Sequence, residues 1–230
     1  MSFDLIIIGA GFAGLTAANR ATELGLKPLV LEASSEELYR CNSRFSTGSL
    51  HVAFQTPWTE PAALAKAIID NTDGAARKDL AEAIGANAAR TIDWLKEQGA
   101  AFEDHPRRTD HMPMLSPLRE MRAGLDWEGG GANALLQKLG QQLIARGGEL
   151  RRGTRAQKLL HQDGNITGVE IVTNQETQTL STNSVIIADG GFQSNPEYVQ
   201  QHIGSDISHL QRRNAGTGVG DGMRMATEIG

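Results

Sequence analysis

Short apolar runs and amphipathic segments alternate at the start of the chain. Residues 3–8 form a run rich in β-branched side chains, as expected for a strand buried on both faces of a parallel sheet. Residues 12–23 are Ala-rich with apolar positions at helical spacing, and Gly25 marks the end of that helix. A second strand is predicted at 27–32. This order predicts a βαβ unit with a right-handed crossover.

The middle of the chain has a mostly helical pattern. Residues 60–71, 78–98 and 133–145 carry apolar side chains at helical spacing and predict three amphipathic helices. Residues 104–123 contain three prolines and four arginines. This composition predicts a long irregular loop.

The pattern changes to short β-rich runs after residue 150. A hairpin is predicted between 156–161 and 166–173, because Asp163-Gly164-Asn165 between them is a turn signal. A further buried strand is predicted at 184–188, and a helix is predicted to begin near Met223. The elements together predict an α/β fold with a parallel central sheet.

The composition excludes several classes of function. Glycine accounts for 26 of 230 residues, more than the usual ~7%, which indicates many turns. A net charge of −5 and a pI near 5.7 disfavour a nucleic-acid partner. Cys41 is the single cysteine, which excludes an internal disulfide, a multi-cysteine metal site and a CxxC pair, and favours a cytoplasmic location. No apolar stretch approaches the ~18 residues of a membrane span, so none is expected.

A glycine motif follows the first predicted strand. Gly9, Gly11 and Gly14 form Gly-x-Gly-x-x-Gly between a strand and a helix. The first glycine permits a tight turn, the second lets backbone approach a pyrophosphate, and the third lets helix and strand pack closely. Glu32 ends the next predicted strand, where a carboxylate accepts hydrogen bonds from ribose hydroxyls. The alternative, a glycine turn plus a surface glutamate, fits the order of strand, glycine motif, helix and strand less well. The sequence therefore predicts that the chain binds an adenine dinucleotide.

Later blocks distinguish FAD from NAD. Residues 186–191 resemble the Ala-Thr-Gly-Gly strand end of flavoproteins with a two-dinucleotide-binding fold, with Asp189 in place of threonine. Residues 220–222 resemble the Thr-Gly-Asp-Gly segment beside the flavin ring. With 32–33 and 42–48, these blocks resemble the FAD domain of the fumarate reductase/succinate dehydrogenase flavoprotein family, from residue 3 to the end of the chain. A nicotinamide-dependent dehydrogenase is disfavoured by the later blocks, and a disulfide reductase is excluded by the single cysteine.

The resemblance implies a Rossmann-like two-dinucleotide-binding fold with a parallel central sheet, a β-meander and a helical insertion. It places a set of residues around FAD: Gly9, Gly11, Phe12, Ala13, Gly14, Glu32, Ala33, Asn42, Ser43, Thr47, Gly48, Ala156, Ala188, Gly190, Gly220, Asp221 and Gly222. Of these, the first glycines would hold the pyrophosphate, Glu32 and Ala33 the ribose, and Ala156 the adenine. No histidine lies between Arg40 and Leu50, where membrane-complex members attach FAD covalently, so non-covalent FAD is expected.

One departure from the family pattern concerns the turn before Asn42. Family members usually have Gly-Gly there, whereas this chain has Arg40-Cys41. The backbone geometry of that turn is therefore not carried over from the family.

The resemblance also implies a reaction. It is hydride transfer between flavin N5 and a carbon next to a carboxylate or similar group, coupled to proton transfer at the neighbouring carbon. A small carboxylic acid is the expected substrate, and no redox partner is assigned. Residues 42–44 and 129–135 look most like the tricarballylate dehydrogenase branch, with fumarate-, urocanate- and ketosteroid-type relatives as alternatives.

No catalytic residue is assigned from the sequence. In the family these residues lie in a capping domain and a returning segment, so residues 1–230 are expected to be the amino-terminal part of a FAD domain. The alternative function is a FAD-binding fragment or subunit without turnover alone. Arginines 107, 108, 119 and 122 could bind substrate carboxylates or form a charged loop face. His105 and His111 are expected to be solvated loop residues rather than metal ligands.

Overall fold

Strands and helices alternate at the start of the chain, as predicted, and longer runs of helices and of strands follow. The computed structural model describes residues 3–104, 112–119, 127–204, 207, 209 and 211–230. Its strands are β1 (Leu5–Ile8), β2 (Pro28–Leu31), β3 (Phe102–Glu103), β4 (Met114–Leu115), β5 (Glu149–Arg151), β6 (Thr154–Gln162), β7 (Asn165–Thr173), β8 (Glu176–Ser181) and β9 (Val185–Ile187). Its helices are α1 (Phe12–Glu23), α2 (Asn42–Phe45), α3 (Pro61–Asn71), α4 (Lys78–Glu97), α5 (Gly131–Ala145), α6 (Pro196–His202) and α7 (Asp221–Ile229).

The described residues divide into two units. The first comprises Met1–Phe45 and Leu136–Gly230, and the second comprises Ser46–Leu135. The second unit is the helical insertion that the sequence predicts.

A parallel sheet forms the centre of the first unit. Its order is β5-β2-β1-β9, and each neighbouring pair is parallel. Every residue of β1 and β2 is buried, because α1 contacts both strands and the antiparallel β6-β7-β8 layer packs with them in one core. The predicted βαβ unit is thus confirmed, with α1 at the predicted residues and β1 and β2 slightly shorter than predicted.

One face of this sheet contributes to a hydrophobic core. Alternate residues of a strand point to the same face, and Ile6 and Ile8 of β1 pack in one cluster with Leu29 and Leu31 of β2. That cluster also contains Ala156, Leu159, Val169 and Ile171 of the meander and Met225 of α7. Burial of these side chains fixes the meander and α7 against the sheet.

The predicted hairpin is confirmed and is longer than the sequence indicates. β6 and β7 pair antiparallel, and Asp163 (φ 51°) and Gly164 (φ 78°) form the turn between them. Two consecutive positive φ angles are typical of a two-residue hairpin turn, which Asp-Gly adopts readily. β8 pairs with β7 and completes the predicted meander.

Two sequence predictions about strands are wrong in part. The strand predicted at 184–188 forms as β9, but Ile186 and Ile187 are each 37% exposed because β9 lies at an edge of the four-stranded sheet. The predicted loop 104–123 contains β4, which pairs with β3. The proline signal hid this strand, in which both residues are buried.

Two short helices were not predicted. α6 begins after Asn195, whose Oδ1 accepts the backbone N–H groups of Glu197 and Tyr198 at 3.1 and 3.3 Å. Asn followed by Pro196 is a helix-start signal that was available in the sequence. α2 is a single turn of four residues, too short to leave a periodic pattern.

The second unit is dominated by α3 and α4. Glu60 caps α3 by accepting the Ala63 N–H at 3.0 Å, and Pro61 occupies the first turn. Gly85 lets α4 approach α3 closely, because a Cβ there would overlap the Pro61 carbonyl oxygen. Among the described residues, no helix combines the length and apolarity needed to cross a bilayer.

Candidate functional site

A cavity of about 390 Å³ opens in the first unit at the carboxyl ends of β1, β2 and β9. Ligands of parallel α/β sheets bind at this end of the strands. The cavity is lined by Ile8, Gly9, Ala10, Gly11, Leu31, Glu32, Ala33, Ser34, Arg40, Cys41, Asn42, Ser43, Thr154, Arg155, Ala156, Ala188, Asp189, Gly190, Gly216, Thr217, Val219 and Asp221.

Gly9 and Gly14 form a turn with no room for side chains. Gly9 has φ +100°, and a Cβ there would lie 2.6 Å from the Ala188 carbonyl oxygen. Its N–H donates to the Leu31 carbonyl at 2.8 Å. A Cβ on Gly14 would overlap the Gly9 carbonyl oxygen. The two glycines therefore bring backbone, rather than side chains, to the cavity at the start of α1.

The amino terminus of α1 lies at this cavity. Gly11 is the N-cap residue and supplies no side-chain cap. Ser43 takes that role, since its Oγ accepts the Phe12 N–H at 3.0 Å. The amino end of a helix carries a partial positive charge and favours anionic groups such as phosphate. This end of the cavity is suited to a pyrophosphate.

Glu32 provides a carboxylate at the end of β2. Its Oε1 accepts the Ser34 N–H at 2.9 Å, and its Oε2 accepts the Ala10 N–H at 3.4 Å. Burial raises the pKa of Glu32, while backbone N–H donors and the charge of Arg44 partly oppose that rise. The side chain is therefore held by backbone groups at the cavity wall, where ribose hydroxyls could donate to it.

The raised pKa of Glu32 predicts a pH dependence. Acidification should protonate Glu32 above its ordinary pKa of 4.5, and cofactor affinity should fall because the protonated group accepts hydrogen bonds poorly. The Glu32→Gln variant should bind more weakly than wild type at neutral pH and show a flatter profile. Cofactor titrations across the acid range compare the two, and parallel profiles would contradict a role for Glu32.

The raised pKa of Glu32 also predicts that acidification stabilises the cofactor-free chain, although it weakens cofactor binding. The folded state binds the Glu32 proton more tightly than the unfolded state, so this group's contribution to the free energy of unfolding rises as the pH falls from the folded pKa towards 4.5. Glu32→Gln should remove that contribution. Urea unfolding across the same pH range measures it.

Tyr39 and Arg44 stabilise the glycine turn through a chain of hydrogen bonds. The Tyr39 hydroxyl donates to the Ala10 carbonyl at 2.7 Å. Arg44 Nε donates to the Tyr39 carbonyl at 2.8 Å, and its guanidinium lies 4.7 Å from the Tyr39 ring centroid. Arg44 is only 2% exposed. Sequence reasoning missed both roles, because no local pattern distinguishes Arg44 from a surface arginine.

Two further contacts shape the cavity on other sides. Asn42 Oδ1 accepts the Ala215 N–H at 2.8 Å, which ties α2 to the segment before α7. Arg155 of β6 pairs with Asp221 at 2.6 Å between its Nη2 and the Asp221 Oδ2. Burial raises the pKa of the Cys41 thiol, so this side chain favours the protonated form.

The structure brings part of the predicted set together in this cavity. The predicted residues that line it are Gly9, Gly11, Glu32, Ala33, Asn42, Ser43, Ala156, Ala188, Gly190 and Asp221. Phe12, Ala13 and Gly14 form the first turn of α1, and Gly220 and Gly222 flank Asp221 without lining the cavity. Thr47 and Gly48 belong to the second unit.

Several lining residues were not predicted as site residues, among them Ser34, Arg40, Cys41, Thr154, Arg155, Asp189, Gly216, Thr217 and Val219. Arg40, Cys41 and Asp189 stood out in the sequence as departures from the family pattern. These departures were the sequence features from which the three residues could have been predicted as site residues.

The residues fit an adenine dinucleotide. The glycine turn brings backbone to the cavity at positions where a Cβ would collide with neighbouring backbone. The helix amino terminus beside it favours an anionic group, and the Glu32 carboxylate on the same cavity could accept hydrogen bonds from ribose hydroxyls. Among the described residues, no group of three or more His, Cys, Asp or Glu side chains could hold a metal ion. The sequence predictions for His105, His111 and arginines 107, 108 and 122 lie outside the described residues.

Comparisons with known proteins give a family match and several relatives. The model of the family described as "FAD binding domain" matches residues 4–230. A vinyl phenol reductase of Lactiplantibacillus plantarum is 31% identical over 240 residues, covering 100% of this chain and 46% of that protein. A fumarate reductase (cytochrome) of Shewanella frigidimarina is 26% identical over 241 residues, covering 99% of this chain and 40% of that protein.

Solved structures share the fold. A 3-ketosteroid-delta4-(5alpha)-dehydrogenase of Rhodococcus jostii RHA1 superposes with a TM-score of 0.81 at 18% identity, over 100% of this chain and 54% of that one. The open conformation of a flavocytochrome c3 fumarate reductase also gives 0.81, at 20% identity, over 100% of this chain and 40% of that one. The chain thus spans about half or less of the length of these relatives.

Proposed function

This chain belongs to the FAD binding domain family, and from that membership we propose that it holds FAD non-covalently as the cofactor-binding part of an oxidoreductase. The reaction is hydride transfer between flavin N5 and a carbon next to a carboxylate or similar electron-withdrawing group. The observation that supports the proposal most directly is the cavity at the carboxyl ends of β1, β2 and β9, with its glycine turn, helix terminus and partly buried carboxylate.

The cavity residues would divide the binding of FAD among them. The backbone at Gly9 and Gly11 and the amino end of α1 would hold the pyrophosphate. Glu32 would accept hydrogen bonds from the adenosine ribose, and Ala156 would offer main-chain groups to adenine. FAD, when bound, supplies the site that accepts or donates the hydride. The residues of the cavity would orient the cofactor.

We infer the substrate class from relatives whose names indicate that they reduce carbon–carbon double bonds. One relative is a fumarate reductase and another is a vinyl phenol reductase. Fumarate carries carboxylates on its double bond, and a vinyl phenol carries an aromatic ring there. We propose that this protein acts on such an activated double bond, or on the corresponding saturated acid. Tricarballylate, favoured by residues 42–44 and 129–135, stays a specific prediction within that class.

FAD release tests the proposal directly. Protein purified after expression with FAD should be yellow, and acid or heat denaturation should release intact FAD into a filtrate, since no histidine lies between Arg40 and Leu50. Chromatography of the filtrate identifies the released flavin. Colour that stays with the denatured polypeptide would contradict non-covalent binding. A colourless protein that binds NAD would contradict the flavin assignment.

The same preparation separates turnover from binding alone. Bound FAD, reduced with dithionite under anaerobic conditions, should be reoxidised by fumarate or by a vinyl phenol if the chain turns over. Tricarballylate should bleach the oxidised form if that acid is the substrate. Free reduced FAD is the control. FAD that binds tightly yet responds to none of these compounds would favour the alternative function, a FAD-binding chain without turnover of its own.

A further inference from the structure

Helix α7 begins without a cap from its own sequence. Its N-cap residue is Gly220, at φ 86°, which has no side chain to accept the first N–H groups of the helix. Such groups need a partner when they are removed from water. Val219 and Asp221, on either side of Gly220, line the cofactor cavity. The placement of this turn therefore shapes one cavity wall.

Asp189 supplies the missing cap from a distant strand. It follows β9 by two residues, and its Oδ2 accepts the Gly222 N–H at 2.7 Å, 33 residues along the chain. A Cβ on Gly222 would overlap Asp189 Oδ1 and the Ile187 side chain. The glycine and the carboxylate are thus fitted to each other. Asp189 also lines the cavity, so the cap and the wall share one residue.

The other side of the same turn is held by an ion pair. Arg155 of β6 donates from Nε to Asp221 Oδ2 at 2.8 Å. Asp221 is the first residue of α7, where a negative charge is favourable to the helix. Two carboxylates therefore hold the first turn of α7: Asp189 connects it to the end of β9, and Asp221 connects it to Arg155 of β6.

We propose that Asp189 is a positioning residue for FAD, which caps α7 and thereby holds Val219 and Asp221 at the cavity wall. This inference rests on the proposed function, since it takes FAD as the ligand of that cavity. The essential property is a hydrogen-bond acceptor of the right reach. Asparagine and threonine at position 189 should therefore preserve FAD binding, whereas side chains without an acceptor should not.

A series of variants at position 189 tests the proposal. Asp189→Ala should weaken FAD binding by about 2- to 30-fold, the range reached if the whole cost of losing a helix cap falls on FAD affinity. Asp189→Asn should restore affinity to within a few-fold of wild type. Affinity is measured by fluorescence titration with FAD at a temperature where each variant is folded, and visible circular dichroism of the bound flavin reports whether its surroundings are restored.

Glu60→Ala is the matched control, because Glu60 also caps a helix with its carboxylate but lies in the second unit. It should lower thermal stability and leave FAD affinity unchanged. If Asp189→Ala does not fold, the isosteric pair Asp189→Thr and Asp189→Val takes its place, with weaker FAD binding expected for valine alone.

The outcomes separate this proposal from the proposed function. Equal FAD affinity in wild type and Asp189→Ala, or in the threonine and valine variants, would overturn the positioning role alone. Failure of asparagine to restore affinity would also overturn it. A wild-type chain that binds no FAD would overturn the proposed function and, with it, this inference.

Discussion

Replacing Glu32 with alanine is expected to weaken FAD binding about 10- to 100-fold. The ribose hydroxyls would lose charge-assisted hydrogen bonds worth about 1.5–3 kcal/mol. The Ser34 and Ala10 N–H groups, which donate to this carboxylate, would also lose their acceptor, so the local backbone would be less well fixed. FAD titration of the purified apoprotein measures the effect.

Glu37→Ala is the control for that variant. Glu37 lies in the same connection after β2 but is exposed, and its removal changes the net charge by the same amount. Its FAD affinity should equal that of wild type. An unchanged affinity in Glu32→Ala would show that another group holds the ribose.

A single methyl group at Gly14 is expected to have the other large effect. A Cβ there would overlap the Gly9 carbonyl oxygen and lie 3.4 Å from the Ile7 side chain. Backbone cannot move aside as a flexible side chain can, so α1 would shift from β1. Overpacking of this kind costs about 1–3 kcal/mol in stability. The shift would also displace the helix terminus that faces the cavity, so FAD binding should be lost in Gly14→Ala.

Gly140→Ala provides a closely matched comparison. Gly140 also lies inside a helix, α5, but a Cβ there would meet Leu150 at an ordinary 3.8 Å. Alanine favours a helix interior over glycine by up to about 1 kcal/mol. This variant should therefore be as stable as wild type or more so, and bind FAD normally. Urea unfolding and FAD titration compare the two, and a Gly14→Ala protein as stable as wild type would refute the packing argument.

The glycine motif shows how much of the site the sequence could predict. Gly9, Gly11 and Gly14 have a spacing whose physical demands are local, namely a turn, a close approach and a helix start. Those demands fall within six residues, so the sequence expresses them directly. Glu32 could be predicted for a related reason, since the next strand of a βαβ unit must end beside the first.

The supporting contacts could not be predicted in this way. Tyr39 reaches Ala10 across 29 positions, Asp189 reaches Gly222 across 33, and Asn42 reaches Ala215 across 173. No periodicity relates such pairs. The exposure of Ile186 and Ile187 was missed for the same reason, because an apolar run has the same composition whether its strand lies at the centre or at the edge of a sheet.

The sequence by itself determined the βαβ start, the glycine turn, the hairpin and the likeness to FAD domains, all of which depend on neighbouring residues or on ordered blocks. Only the tertiary structure decided which side chains hold those blocks together. Burial raises the pKa of Glu32. Tertiary packing brings the Arg44 guanidinium over the Tyr39 ring and the Asp189 carboxylate to the amino end of α7. Each depends on strands and helices distant in sequence packing side by side, and the free energy that selects that packing comes from the shared core rather than from any one segment.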